Sequence, residues 1–248
     1  MIKKHIPNFI TCLNIFCGSL AVIFALEGDL TFAVILMIVA AVFDFLDGMA
    51  ARLLKAYSPV GKDLDSLADV ISFGLAPGMV LFSLMENALF GENVRPDRIS
   101  DMSLTEMLFL LSAFLIPIFS ALRLAKFNND TRQTDSFIGL PTPANALLIS
   151  SFALISEHGS MPALDQTLLK PITLLILAIV SSYLLISEIP MFSLKMKNLK
   201  WQDNKVRFIF LGLSVILIVS MKIYGVAAII LTFILISVLT PIPDKKKV

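Results

Sequence analysis

Four aspartates interrupt otherwise apolar stretches of this chain: Asp44 and Asp47, then Asp65 and Asp69. The surrounding sequence decides how unusual that is. The chain has 248 residues, is 57% hydrophobic and 16% charged, and has a mean hydropathy of +0.86. An ordinary soluble domain is about 45–50% apolar and about 25% charged. This composition belongs to an integral membrane protein, and carboxylates at membrane depth are expensive enough to mark function.

A spanning helix needs about 20 mostly apolar residues. Eight segments qualify, near 8–26, 30–52, 64–86, 105–126, 142–157, 171–189, 207–223 and 225–242. The fifth is short and the last two are parted only by Tyr224-Gly225, so the expected count is about eight transmembrane helices, with six or seven as the alternative. The expected fold is an all-α polytopic helical bundle forming one membrane domain over residues 1–248, with both termini cytoplasmic. Charge asymmetry supports this orientation. With all eight segments spanning, only Arg95, Arg98, Lys170 and Lys222 fall outside, and every other lysine and arginine falls inside, as the positive-inside rule requires. The first apolar stretch lacks a small-residue cleavage site and reads as a permanent helix. Nothing in the chain points to nucleic acid. Residues 192–201, with alternating lysines and Trp201, read as a basic segment at the headgroups, and Lys245-Lys246-Lys247 reads the same way.

Asp44 and Asp47, three apart, lie about 60° apart on a helix; Asp65 and Asp69, four apart, lie about 40° apart. A short connection makes the second and third segments antiparallel neighbours, so all four acids can converge near the cytoplasmic surface. Like charges gathered in a dry pocket repel, and a hard divalent cation such as Mg²⁺ or Mn²⁺ relieves the repulsion. Four carboxylates can bracket two such ions, an arrangement suited to phosphoryl-type displacement. Gly48, Ala50 and Ala51 leave the backbone open to a bulky ligand, and Arg52 offers a planar cation for phosphate oxygens. Asp63 reads as an ordinary loop acid. Cys12 and Cys17, five apart, point in different directions and read as free thiols. His5 and His158 have no metal-ligand spacing.

The pattern Asp-x2-Asp-Gly-x2-Ala-Arg-x8-Gly-x3-Asp-x3-Asp, met here at Asp44, Asp47, Gly48, Ala51, Arg52, Gly61, Asp65 and Asp69, resembles the signature of the CDP-alcohol phosphotransferases. The resemblance implies an all-helical membrane enzyme with a site open to the cytoplasm. It implies that Asp44, Asp47 and Asp65 hold a di-metal centre, and that Asp69 adds to the metal site and acts as general base. It further implies that Gly48, Ala51, Arg52 and Gly61 meet the CDP moiety. Asn8 and Thr11 either approach the nucleotide as well or cap the first helix.

Two further stretches look like the phosphatidylserine synthase branch of that family: residues 6–18, and 121–128 with 137–144. Where the branch commonly has Arg-Leu-Ala-Arg-Phe-Asn, this chain has Lys126 in place of the second arginine. The branch implies CDP-diacylglycerol and L-serine as substrates among membrane lipids, a bacterial inner membrane, and the pairing as homodimers common in the family. Arg123 and Lys126 are then the partners for the serine carboxylate, with Asn128 and the backbone around Gly139 orienting the rest. Two alternatives stay open: the same chemistry on glycerol 3-phosphate or inositol phosphate, and a cation- or proton-coupled transporter.

Overall fold

The computed structural model describes residues 5–91, 102–130, 136–192, 198 and 200–240. Helix α1 (Ile6–Glu27) ends at Gly28, whose left-handed φ of 88° lets its N–H and that of Asp29 turn back onto the carbonyls of Ala25 and Phe24. Asp29 then caps α2 (Leu30–Leu53), its carboxylate accepting from the Phe32 N–H at 2.9 Å. This two-residue turn makes α1 and α2 a tight antiparallel hairpin.

The third rod begins at α3 (Pro59–Val70), with Pro59 in the first turn and Ser58 Oγ accepting from the Gly61 N–H at 3.0 Å. It widens into a π-helical turn (Ile71–Leu75), where the Ala76 N–H reaches the Ile71 carbonyl five residues back, and continues as α4 (Ala76–Phe90). Pro77 has no N–H to offer the preceding turn, a sufficient local reason for the helix to relax there.

The third rod is the centre of the bundle, with 67% of its apolar window buried against 33% for α1 and for α2. Small residues let its neighbours approach, as expected when lipid supplies no hydrophobic drive between helices. A Cβ on Gly18 of α1 would lie 2.9 Å from Ser72 Cα, and one on Gly78 would lie 2.9 Å from Pro117. Packed on the other side are α5 (Leu104–Leu111), opened by a Ser103–Glu106 capping box, a 3₁₀ turn (Ser112–Phe114), and α6 (Leu115–Asn129).

Next come α7 (Thr142–His158), α8 (Pro162–Leu168), α9 (Pro171–Ile186), α10 (Trp201–Met221) and α11 (Tyr224–Leu239). Helices α8 and α9 meet at a 56° bend. Among the described residues, each of the eight apolar segments is built on a helix. Among the described residues, five helical rods are long and apolar enough to cross a membrane, six if the bent pair is one span, while α11 is a shorter apolar helix. The exterior is apolar: Val215, Ile216 and Val219 of α10, and Phe32, Ile35, Ile38 and Phe45 of α2, are all exposed, a surface fit for lipid rather than water. On the side away from the aspartates, Thr31 and His158 are tied at 2.9 Å. Tyr224 there donates to Asp165 at 2.7 Å and accepts from the Ser160 and Met161 N–H groups.

The structure departs from the sequence reading in one of its connections. A small antiparallel ribbon pairs β1 (Ser136–Ile138) with β2 (Pro190–Phe192), where plain connections were expected. Phe192 docks it into an aromatic cluster with Phe210 and Phe233, centroids 5.4 and 4.9 Å away. Trp201 begins α10, is exposed, and stacks on Phe208 at 5.5 Å. Residues 193–197 and 199 of the basic segment and the lysines of the tail lie outside the described residues.

The close packing at Gly18 has a measurable consequence. Gly18→Ala should lower the thermal midpoint in detergent by an amount corresponding to about 1–3 kcal/mol, because the added methyl meets the backbone of Ser72. Gly212→Ala, with nothing within 4 Å of the new Cβ, should be neutral or slightly stabilising. Equal effects at the two positions would contradict the packing described.

Candidate active site

The hairpin and the third rod bring the acids together. Asp44 and Asp47 occupy one face of α2, three turns or less from its end, and Asp65 and Asp69 face them from α3. Ligand oxygens of Asp44, Asp47 and Asp65 all lie within 4.8 Å of one another. Asp44 is also within hydrogen-bonding reach of Asp65 and of Asp69. Helix α1 packs closely on both α2 and α3, whereas α2 and α3 have little direct backbone contact. The expected neighbours thus face each other across a gap backed by α1, and that gap is where carboxylates and ligand have room.

Thr11 Oγ1 donates to Asp47 Oδ2 at 2.6 Å, fixing one carboxylate from the back wall. None of Asp44, Asp47 and Asp65 is ion-paired to a lysine or arginine among the described residues. One oxygen of Asp69, Oδ1, is buried with no hydrogen-bond partner. Oxygen donors converging at this spacing, without a protein cation between them, fit a hard divalent ion. The cluster is a candidate divalent-cation site built from Asp44, Asp47 and Asp65, with Asp69 adjoining.

Beside it opens a cleft of about 230 Å³, lined on one side by Asp47, Gly48 and Ala51 of α2 and on the other by Asn8 and Thr11 of α1, with Gly61 and Asp65 of α3 completing it. Gly48 has nothing within 4 Å of where a Cβ would stand, so its role is open space; Gly61 is tight, its Cβ position 3.1 Å from Asn8 Oδ1 and Ser58 Oγ. Neither Asn8 nor Thr11 caps α1, whose N-cap is His5 without a side-chain bond. Arg52 is exposed at the rim, its Nε donating to the Gly48 carbonyl at 3.0 Å. Tyr57, Ser58 and Lys62 also line the cleft. Tyr57 and Ser58 sit in the eight-residue spacer and Lys62 just after Gly61, positions where the motif leaves the residue free.

The residues expected to meet the acceptor separate. Arg123 of α6 is buried beside Asp69, with Nε unpartnered and its guanidinium carbon 5.8 Å from the centre of the Phe127 ring. Lys126, three residues on, is exposed. Asn128 bridges α6 to α3: its Nδ2 donates to Ser66 Oγ at 2.7 Å, and its carbonyl accepts from Lys62 Nζ at 3.2 Å. The Gly139 N–H is committed to the Ile189 carbonyl at 2.9 Å, a ribbon contact that removes it from the acceptor set. Asp63 is exposed. Cys12 is exposed and Cys17 buried, both free.

The chain is similar to known proteins over most of its length. The chain is 36% identical over 151 residues to a CDP-diacylglycerol--serine O-phosphatidyltransferase of Bacillus subtilis (strain 168), covering 60% of this chain and 76% of that protein. It is 32% identical over 216 residues to a protein of the same name from Helicobacter pylori (strain ATCC 700392 / 26695), covering 86% of this chain and 81% of the relative. An archaetidylserine synthase of Methanothermobacter thermautotrophicus is 34% identical over 160 residues, 64% of this chain and 61% of that protein. The profile of the CDP-alcohol phosphatidyltransferases matches residues 4–240, a span that takes in the carboxylate cluster, the cleft and the helices that hold them. By that match this membrane-embedded chain belongs to the CDP-alcohol phosphatidyltransferase family.

Proposed function

We propose that the protein is a CDP-diacylglycerol:L-serine O-phosphatidyltransferase, forming phosphatidylserine and releasing CMP. The observation that carries the reading is the convergence of Asp44, Asp47 and Asp65 within 4.8 Å at the edge of a cleft walled by small residues. The names of the relatives support serine as the acceptor.

The nucleotide half of the substrate occupies the cleft between Asn8, Thr11, Gly48, Ala51 and Gly61, with Arg52 at its rim for phosphate oxygens. An apolar groove of about 340 Å³ runs from Phe45, the neighbour of Asp44, between α2 and α7. Lined by Met37, Ile38, Phe73 and Leu147 among others, it suits the acyl chains and leaves the diphosphate at the carboxylates. Asp44, Asp47, Asp65 and Asp69 hold divalent cations, Mg²⁺ or Mn²⁺, two by the family resemblance. When bound, these supply Lewis-acid neutralisation of the diphosphate and of the departing CMP.

Asp69 is the general base. Its unpartnered Oδ1 takes the proton of the serine hydroxyl as that oxygen bonds to the lipid-side phosphorus and the bond to the CMP oxygen breaks. Arg123, buried beside Asp69, receives the serine carboxylate. The depth of Arg123 and the exposure of Lys126 favour Arg123 as the recognition group, with Lys126 at the headgroup surface. This assignment places the cluster on the cytoplasmic side, in keeping with the basic residues concentrated near it.

Three substitutions test the scheme. Asp69→Asn should lower serine-dependent CMP release by about 10²–10⁴-fold while the thermal midpoint stays near wild type; activity within a few-fold of wild type would remove Asp69 as base. Arg123→Gln should raise KM for serine by about 10–100-fold, the worth of a hydrogen bond to a charged group, with KM for CDP-diacylglycerol little changed. Lys126→Gln should change the serine KM by less than about threefold, the range for an exposed ion pair. A larger effect at Lys126 than at Arg123 would invert the assignment.

A further inference from the structure

Asn14 is fully buried, at 0% exposure, and neither its Nδ2 nor its Oδ1 has a hydrogen-bond partner. A buried amide left unmade forfeits its whole hydration, so such a group normally has a partner to meet. The position of Asn14 indicates which. It belongs to the buried stripe Pro7, Thr11, Asn14, Gly18 along α1, one turn beyond Thr11.

Thr11 is bonded to Asp47. Because α1 and α2 run antiparallel from the Gly28-Asp29 turn, three residues forward on α1 oppose three residues back on α2, and this register sets Asn14 against Asp44. On the other side Ser72 Oγ donates to the Asn14 carbonyl at 3.1 Å, and Asp69 stands three residues before Ser72 on the same rod. Asn14 therefore lies in the layer bounded by Asp44 and Asp69, where Asp69 Oδ1 is likewise buried without a hydrogen-bond partner.

We propose that Asn14 is a positioning residue of the carboxylate centre, whose amide N–H holds a carboxylate oxygen of the Asp44–Asp69 pair in the geometry that accepts a divalent cation. The inference rests on the divalent-cation reading given above. An amide is the chemistry the place calls for. It donates to a carboxylate without adding charge, whereas a lysine would neutralise the ligand set and a further acid would add to its repulsion. Partners of metal-bound carboxylates commonly carry such a share of the affinity.

The test uses the purified full-length protein and Mn²⁺ as the probe. Its binding is followed by loss of the free-ion electron paramagnetic resonance signal, and thermal midpoints are taken with and without the ion. Asn14→Leu, of similar size, should weaken Mn²⁺ binding by about tenfold or more, while its metal-free midpoint equals or exceeds that of wild type, since an unpaired amide has been removed. Asn14→Asp should lower the metal-free midpoint and gain more from Mn²⁺ than wild type does, because its added charge faces the ion. Should the leucine variant not fold, the aspartate variant decides alone. Wild-type Mn²⁺ affinity in the leucine variant, or a gain in the aspartate variant no larger than that of wild type, overturns the role of Asn14 and leaves the metal reading standing. Failure of the wild-type protein to bind Mn²⁺ would remove both.

Discussion

Repulsion among carboxylates held within one bundle is the constraint to which the rest of this structure answers. Acids brought this near to one another in a low-dielectric setting need a cation, donors and a scaffold that cannot simply part to relieve them. The scaffold here is three rods, two of them locked as a hairpin by Gly28 and Asp29 and the third threaded through the middle of the molecule. Close approaches at Gly18 and Gly78 fix that third rod. The separation of α2 from α3 across the face of α1 keeps a gap open where a ligand can enter.

Position along the membrane normal follows from the same arrangement. Asp65 and Asp69 stand within the first turns of the third rod, and Asp44 and Asp47 near the end of α2. The cluster thus lies at one end of its helices, with polar access at the cleft and apolar access along the groove toward α7. That pairing of entrances suits a substrate with a nucleotide at one end and acyl chains at the other. A transporter would place its acids near mid-membrane with access to both sides, so the placement of the cluster, together with family membership, favours the enzyme over that alternative.

Much of this could be read in the sequence, for identifiable reasons. Among the described residues, each of the eight apolar segments is built on a helix, because long apolar stretches in lipid have few other ways to satisfy their backbone. The spacings 44/47 and 65/69 place each pair on one helical face wherever the helices run, so the convergence needed only that the two helices face each other. What escaped depends on tertiary neighbours. The π-helical turn at Ile71–Leu75 and the ribbon of Ser136–Ile138 with Pro190–Phe192 arise from a single proline and from three-residue pairings too short to show periodicity. Arg123 and Lys126 look alike at the end of an amphipathic turn, and only the packing of α6 on the third rod buries one and exposes the other. Asn14 sat one turn from Thr11 in plain view, but a lone asparagine in a spanning segment carries no signal until its neighbours are known.

The most direct test of the account is CMP release by the purified protein with CDP-diacylglycerol and Mg²⁺ or Mn²⁺, comparing serine, glycerol 3-phosphate, inositol and inositol phosphate. The account predicts release that requires both the divalent ion and serine, with the other acceptors near background. Release that proceeds with another acceptor in place of serine, or undiminished after chelation of the metal, would contradict it.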